Sequence, residues 1–474
     1  MPLSMLFADL ARGRQGDCFF ALGSPRHAAG AFIPEAMRRG AVAIALEHGE
    51  SMPEGSFPAV WVDALRAHLG LIAARFYGQP SHALCVTAIT GTNGKTTVAH
   101  LCTQASAHLG KSAAYIGTLG IGPLDALEPS GMTTPDALTL QAALAGMRAR
   151  GVEAVALEAS SHALAQDRLA GTRIHTAVFT GLGHDHLDYH PDLAHYKASK
   201  ARLFRQPELT WAVINADDPA GATMRETLAP AVRCLHFSRT GRRPSLRPGD
   251  RFLALREAQY RADGSTLTID TGDECVPVES RLVGDFNAEN LLATLGVMIT
   301  QGHALDAIRE SLQAVQPVRG RLETFAVPGL PRVIVDFAHS PDSLERVLTV
   351  VRSFTPRRLV CVFGCGGERD ATKRPLMGAV AGRLADAVVI TDDNARGEDP
   401  AAIAREILAG IPDSSEVCVI HDRAEAIEFA LSHATAEDIV LVAGKGHEAT
   451  QEIAGVSRAF SDQAVISAWL EARR

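Results

Sequence analysis

The segment Ala88-Ile89-Thr90-Gly91-Thr92-Asn93-Gly94-Lys95-Thr96-Thr97 constrains this chain more than any other. Upstream of it, Leu84 to Thr90 is apolar enough for a buried strand. Downstream, Thr97 to about Leu109 is amphipathic and reads as a helix. A glycine-rich turn between a strand and a helix gathers backbone N–H groups around one point. The helix N-terminus adds partial positive charge there, and a lysine completes an anion cradle. The hydroxyl of Thr96, directly after Lys95, suits the Mg2+ that accompanies a nucleoside triphosphate. Ile89 stands where the full pattern G-x-x-x-x-G-K-[ST] has its first glycine. A glycine-rich turn without a ligand is the alternative, and G-K-T-T in this context favours an ATP site.

At 474 residues the chain is too long for one core, and roughly two to four domains are expected. Its 46% hydrophobic and 21% charged residues are ordinary for a soluble globular protein. A formal charge of −8 argues against non-specific nucleic-acid binding. The eight cysteines are scattered, and the closest pair, Cys361 and Cys365, lacks C-x-x-C spacing. They read as small buried residues or free thiols of a reducing compartment. Met1 to Leu10 has no basic region followed by an apolar run, and no apolar stretch is long enough for a membrane span. A cytoplasmic, multidomain protein is expected, without nucleic-acid or membrane partners.

In chain order, residues 1–80 form a small unit with strands at Cys18–Leu22 and Ala41–Ala45 and helices at Ala31–Arg39 and Ala64–Phe76. Gly78-Gln79-Pro80-Ser81 breaks the chain before the P-loop strand. From 81 to 316 strands and helices alternate, which predicts a largely parallel sheet. Apolar runs at Val152–Leu157, Thr176–Phe179 and Ala212–Ile214 read as its inner strands. Each ends in polar residues, at Glu158–His162, Gly183–His186 and Asn215–Asp218, so these tips should converge on the P-loop. Arg239 to Glu279 reads as a small antiparallel excursion. A second boundary near Pro317–Arg321 opens a unit over 317–474. Its strands read at Val333–Val335, Leu359–Phe363, Ala387–Ile390, Val417–Ile420 and Ile439–Val442. The fold class is α/β, in three domains.

Several constellations carry chemistry. Glu158 and the cluster Gly183-His184-Asp185-His186-Leu187-Asp188-Tyr189-His190 suit Mg2+ coordination and phosphoryl transfer; a polar capping network is the alternative. Lys197 and Lys200, on a helix beginning near Leu193, read from the residues alone as solvated surface charges. Arg321, just past the second boundary, could reach a γ-phosphate when domains close, or form an interdomain ion pair. Asp393-Asn394-Ala395-Arg396, with Arg369 and Glu448, supplies both charge signs that an amino-acid zwitterion needs.

The ordered motifs resemble the Mur ligase family, and within it the UDP-muramoyl-tripeptide synthetases. They are G-T-N-G-K-T-T at Gly91–Thr97, T-T-P-D at Thr133–Asp136, E-A-S-S-H at Glu158–His162, D-H-L-D-Y-H at Asp185–His190 and Y-K-A-S-K at Tyr196–Lys200. G-D-F-N-A-E-N at Gly284–Asn290, G-R-L-E at Gly320–Glu323 and D-F-A-H-S-P-D at Asp336–Asp342 follow. G-C-G-G-E-R-D at Gly364–Asp370, K-R-P at Lys373–Pro375, D-N-A-R at Asp393–Arg396 and G-K-G-H-E at Gly444–Glu448 complete the set. The resemblance implies an N-terminal UDP-sugar-binding domain (1–80), a central P-loop ATPase with a mostly parallel sheet (81–316) and a C-terminal Rossmann-like ligase domain (317–474). It implies a monomer that activates the D-Glu γ-carboxylate of a UDP-N-acetylmuramoyl dipeptide as an acyl phosphate and couples it to an amino acid in peptidoglycan synthesis.

By position, the resemblance implies catalytic roles for Lys95, Glu158, His186, Lys200 and Arg321. It implies ATP contacts at Gly91, Thr92, Asn93, Gly94, Lys95, Thr96, Thr97, Asn287, Asn290, Arg321 and Asp336, and Mg2+ at Thr96, Glu158, His186 and Lys200. Lys200 matches a lysine carbamylated by CO2 (an N6-carboxylysine). Thr133, Thr134, Ser160, Gln166 and Arg168 match UDP-sugar-peptide positions, and Arg369, Asp393, Asn394, Ala395, Arg396, Gly444 and Glu448 match amino-acid positions. Members adding meso-diaminopimelate carry D-N-P-R, and L-lysine enzymes lack its arginine; Arg396 therefore points to diaminopimelate, with Ala395 in place of proline. The D-S-R uridine motif is replaced by Asp9-Leu10-Ala11, and the usual D-G by Ala29-Gly30, which leaves open a relative acting on another carboxylate. A non-catalytic nucleotide switch is the reading from another class; the intact set from Lys95 to Arg321 argues against it.

Overall fold

The P-loop strand, Cys85–Thr90, lies inside a ten-stranded sheet, between Ala154–Glu158 and Thr176–Phe179. The structure, a computed structural model, describes residues 6–7, 15–22, 29–48, 58–183, 185 and 189–473. The sheet continues on one side through Ala113–Gly117 and Gly120–Gly122, and on the other through Trp211–Asn215 and Arg233–Ser238. The chain thus leaves the P-loop strand to one side and returns to pair on the other. That reversal of strand order opens a crevice at the carboxyl ends.

The runs expected at Thr176–Phe179, Leu359–Phe363 and Ala387–Ile390 form strands over those residues. The others differ by a residue or two at their ends. The excursion over Arg239–Glu279 is antiparallel within itself, through Arg251–Arg261, Gly264–Asp270 and Cys275–Ser280. It does not stand apart, however. Arg251–Arg261 pairs parallel with Arg233–Ser238, so the excursion extends the central sheet and covers its edge.

The helix Lys95–His108 packs Val98, Leu101 and Ala105 with Leu291 and Leu295 of the helix Asp285–Thr300 on one face of this sheet. The opposite face buries Leu140, Leu144 and Met147 of the helix Ala137–Ala149. Side-chain caps start three helices around the site, Ala137–Ala149, Ser161–Ala165 and Leu193–Ala201. Asp136, Ser160 and Asp192 cap their helices by accepting from main-chain N–H groups one turn on.

A smaller parallel sheet of Leu6–Phe7, Cys18–Ala21, Ala43–Glu47 and Ala59–Val62 precedes the central one. A six-stranded sheet follows it, in the order Glu323–Phe325, Arg332–Asp336, Ile439–Ala443, Leu359–Phe363, Ala387–Ile390 and Glu416–Val419; only its first pair is antiparallel. A hairpin of Thr450–Ile453 and Val456–Ala459, not anticipated from the sequence, flanks that sheet's carboxyl ends. The connection between the two larger sheets is tied to the P-loop helix. The Gln104 amide donates to Gln316 O at 3.0 Å, and Gln316 N donates to Gln104 Oε1 at 2.7 Å. Among the described residues, no helix is long and apolar enough to cross a membrane.

Candidate active site

The loop Gly91–Thr97 is threaded between two side chains. A Cβ on Gly91, whose φ is +156°, would sit 1.9 Å from Thr180 Oγ1, and one on Gly94 (φ +82°) would sit 2.8 Å from Asn290 Oδ1. Only glycine accepts that backbone this close to its neighbours. Thr92 Oγ1 accepts from Gly183 N at 2.8 Å and lies 3.1 Å from Tyr196 OH, which ties the loop to the tip after Thr176–Phe179. Asn93 O accepts from Thr180 Oγ1 at 2.5 Å, and Thr97 is buried in the first helical turn. Lys95 donates to Gly91 O at 3.0 Å and Thr92 O at 2.9 Å, its ammonium folded over the loop it would share with phosphates.

Glu158 is fully buried and holds both carboxylate oxygens within a ring of donors. Thr96 Oγ1 donates to Oε2 at 2.9 Å, Thr118 Oγ1 to Oε2 at 3.2 Å and Thr118 N to Oε1 at 2.9 Å; the Tyr115 hydroxyl donates to Oε1 as well. Burial, then the Glu158 charge, keeps the Tyr115 phenol protonated far above its ordinary range. Tyr115 and Thr118 were invisible to sequence reasoning, since a tyrosine in the apolar run Ala113–Gly117 reads as core.

Lys200 does not have the solvated position its residue type suggests. It is 1% exposed, donates to Gly91 O at 2.8 Å and lies 4.3 Å above the Tyr196 ring. Burial holds its pKa well below the ordinary lysine range; Lys95 pushes the same way, and Asp185 opposes. The helix Leu193–Ala201 accounts for this placement, because Tyr196 and Lys200 are one turn apart on its inner face. Lys197, on the same helix, is half-buried. His186 and its neighbours His184, Leu187 and Asp188 lie outside the described residues, as do Asp9, Leu10 and Ala11. Ala29 and Gly30 begin a short 3-10 turn before the helix Ile33–Arg38.

The five residues matched to the UDP-sugar peptide form one connected ridge beside Glu158. Thr134 Oγ1 donates to Glu158 O at 2.7 Å and accepts from Ser160 N at 3.0 Å, and Thr133 Oγ1 lies within hydrogen-bond distance of Thr118 Oγ1, at 3.2 Å. Arg168 donates to Thr134 O at 2.7 Å and to Gln166 Oε1, while Gln166 reaches Tyr189 OH at 3.0 Å.

On the far side of the loop, Asn287 and Asn290 occupy successive positions of one buried helix face, linked by Asn290 Nδ2 donating to Asn287 Oδ1 at 2.9 Å. A cavity of about 520 Å3 runs from Asn287, Leu282 and Val283 to Arg321 and Leu322. Arg321 Nη2 reaches Thr96 Oγ1 at 3.4 Å, and its guanidinium stacks 4.6 Å from the Phe337 ring centre. Asp336 accepts from Leu322 N and Ala338 N, each at 2.8 Å, and thereby fixes the turn that carries Arg321. Burial pushes the Asp336 carboxyl up.

The motifs matched to amino-acid positions gather at the carboxyl ends of the six-stranded sheet. Asn394 is the hub. Its Nδ2 donates to Glu448 Oε2 at 2.8 Å, and its Oδ1 accepts from Lys445 Nζ at 3.2 Å and Glu452 N at 3.0 Å. Asp393 is buried beside Gly444, and its Oδ1 accepts from Asn394 N at 2.6 Å. Arg396 has a left-handed φ of +51° and pairs with the hairpin strand through Arg396 N donating to Glu452 O at 3.0 Å; its Nη1 donates to Gly367 O at 2.6 Å. Arg369 is exposed on the loop that includes Gly367. Ala395 N donates to Asp393 O at 3.1 Å, a bond that proline at this position could not make. The hairpin escaped sequence reasoning, and Lys445, although inside the G-K-G-H-E motif, was given no role there.

Among known proteins, the family described as Mur ligase middle domain matches residues 89–298, and the Mur ligase glutamate ligase domain matches 320–446. The UDP-N-acetylmuramoyl-L-alanyl-D-glutamate--2,6-diaminopimelate ligase of Xanthomonas campestris pv. campestris is 44% identical over 473 residues, covering 98% of this chain and 93% of that protein. A solved structure of a UDP-N-acetylmuramoyl-L-alanyl-D-glutamate--2,6-diaminopimelate ligase superposes with a TM-score of 0.70 at 35% identity, over 100% of this chain and 96% of that one. MurF ligase from Thermotoga maritima, in complex with ADP, shares the fold at 18% identity and a TM-score of 0.66, over 94% of each chain.

Proposed function

The chain belongs to the Mur ligase family, and we propose that it is the member joining meso-2,6-diaminopimelate to the D-Glu of UDP-N-acetylmuramoyl-L-Ala-D-Glu. It is an ATP-dependent ligase. The observation that carries the choice of acceptor is the arrangement of Asp393, Asn394, Arg396 and Glu448 at one sheet end, with both charge signs that an amino-acid acceptor requires. Arg396 matches the arginine that recognises the distal carboxylate of diaminopimelate. In this reading the domains span 1–80, 81–316 and 317–474, and the enzyme works as a cytoplasmic monomer.

Lys95, the loop N–H groups and the helix N-terminus hold the β- and γ-phosphates. Arg321 adds positive charge beside Thr96, where charge develops as the γ-phosphoryl group leaves ADP. Asn287 and Asn290 face the base, and Asp336 the ribose. A carboxylate oxygen of D-Glu forms the bond to phosphorus. The neutral amine then attacks the acyl carbon, phosphate departs and the amine loses its proton. Thr133, Thr134, Ser160, Gln166 and Arg168 orient the dipeptide so that its carboxylate faces the triphosphate. Enclosure between the two larger sheets keeps water from the acyl phosphate.

Thr96 and Glu158 offer hard oxygen donors 2.9 Å apart, which fit Mg2+, with His186 and a carbamylated Lys200 as the further ligands implied by position. Bound there, the ion would neutralise phosphate charge. The low pKa of Lys200 supports the carbamate, because the neutral amine is the form that attacks CO2, giving up one proton as the N–C bond forms.

The test is phosphate release from ATP and Mg2+. Release is expected only with both the UDP-muramoyl dipeptide and diaminopimelate present. Release with neither would overturn the ligase reading in favour of a nucleotide switch; release with L-lysine but not diaminopimelate would overturn the acceptor; silence with every UDP-dipeptide would point to another carboxylate.

A further inference from the structure

Lys445 is fully buried, yet its ammonium is not spent on a structural partner remote from the site. Both of its hydrogen bonds go to residues of the acceptor pocket, Glu448 Oε2 at 2.8 Å and Asn394 Oδ1 at 3.2 Å. A buried ammonium is costly to desolvate unless paired, and Glu448 is the carboxylate that pairs with this one. The Asn394 amide is held in one orientation by the same contacts. Its oxygen accepts from Lys445 and Glu452 N, and its nitrogen donates to Glu448 Oε2.

The count of acceptor positions follows. Glu448 Oε2 receives two protein donors, neither of which uses the second oxygen, and the Glu448 side chain stays 32% exposed. The charge count is equally specific. Lys445 cancels Glu448, so the negative charge that a substrate ammonium meets comes from buried Asp393 beside Gly444.

We infer that Lys445 is a positioning and specificity residue of the acceptor site. It presents one oxygen of Glu448 and the Asn394 amide in fixed orientation, and it trims the pocket's charge to suit a substrate whose far end is zwitterionic rather than purely cationic. This deepens the proposed reading of the site and rests on it.

The experiment compares Lys445→Met, Glu448→Gln and the double variant in the amino-acid-dependent phosphate-release assay, with diaminopimelate and L-lysine in parallel. Lys445→Met is expected to raise KM for diaminopimelate at least tenfold, with KM for ATP within twofold of the parent. The KM ratio of L-lysine to diaminopimelate should fall in the same variant, since the pocket becomes more negative. The double variant should lose less than the product of the two single losses, because Lys445 acts through that carboxylate and removing both partners restores the parent's charge count. An unchanged KM for diaminopimelate, or independent and multiplicative effects of the two substitutions, would overturn the inference. Should Lys445→Met fail to fold, Lys445→Gln, which keeps an amide donor, is read by the same criteria. Absence of amino-acid-dependent release from the parent enzyme would instead refute the proposed function.

Discussion

Lys200 and Lys95 converge on a single oxygen: both ammonium groups donate to Gly91 O, at 2.8 and 3.0 Å. A second cation on the same carbonyl disfavours the charge of the buried one, and Lys95 contributes to the low Lys200 pKa for that reason, after burial itself. An anion introduced between them relieves the repulsion, whether from triphosphate or from a carbamate on Lys200.

Lys200→Ala should therefore abolish ligation while ATP binding is largely retained. In 13C-bicarbonate, the parent protein should show a carbamate carbon signal in NMR that the variant lacks. Full activity of the variant would remove the carbamate from the mechanism.

Arg321 is oriented by stacking as well as by charge. Arg321→Ala should lower kcat/KM about 10²- to 10³-fold, the range for loss of a donor at a developing charge. Phe337→Leu removes only the ring beneath the guanidinium. It should cost about 1 kcal/mol, roughly fivefold in kcat/KM. Equal losses in the two variants would contradict the stacking role.

Arg396 is held by the hairpin at a left-handed backbone angle that a free arginine seldom adopts. Arg396→Ala should raise KM for diaminopimelate roughly 10- to 100-fold through loss of charge-assisted hydrogen bonds, and leave KM for ATP nearly unchanged. Steady-state titration of each substrate checks this, and an unaltered diaminopimelate KM would take Arg396 out of the pocket.

Arg423 and Asp462 form a fully buried ion pair, at 2.7 and 2.9 Å, and Arg423 also donates to Ala443 O at 3.0 Å, directly before Gly444. Asp462→Ala leaves a buried cation uncompensated and should cost about 3–5 kcal/mol in denaturant unfolding. Pairing it with Arg423→Met should restore much of that stability.

Burial pushes His100, His236 and His447 down to about 4, with nearby cations adding to the effect at His447. In the unfolded chain these imidazoles titrate near 6.5, so between about pH 4 and 6.5 the unfolded state binds more protons. Their contribution to stability is fully present above about pH 6.5 and is lost as pH falls toward 4. Thermal unfolding across that window should show the slope, and His236→Gln should flatten it.

The sequence by itself determined the inner strands of the two larger sheets, the P-loop and the order of the motifs. Apolar runs bounded by glycine and polar tips leave little choice of element, and Gly91 and Gly94 sit where no side chain could fit. It also marked Glu158, Arg321 and Arg396 by residue type and position. What it could not carry is anything that depends on long-range approach. A lysine on an amphipathic helix is normally solvated, and only the packing of Tyr196 and Lys200 under Gly91 makes this one buried and weakly basic. Tyr115 reads as core until Glu158 arrives from a strand 43 residues away. Lys445 meets the Asp393–Arg396 turn only because Asn394, 51 residues distant, reaches it at the sheet's edge. Local chemistry writes the elements; the crossovers between strands decide which charges meet, because burial and distance fix the energy of a charge.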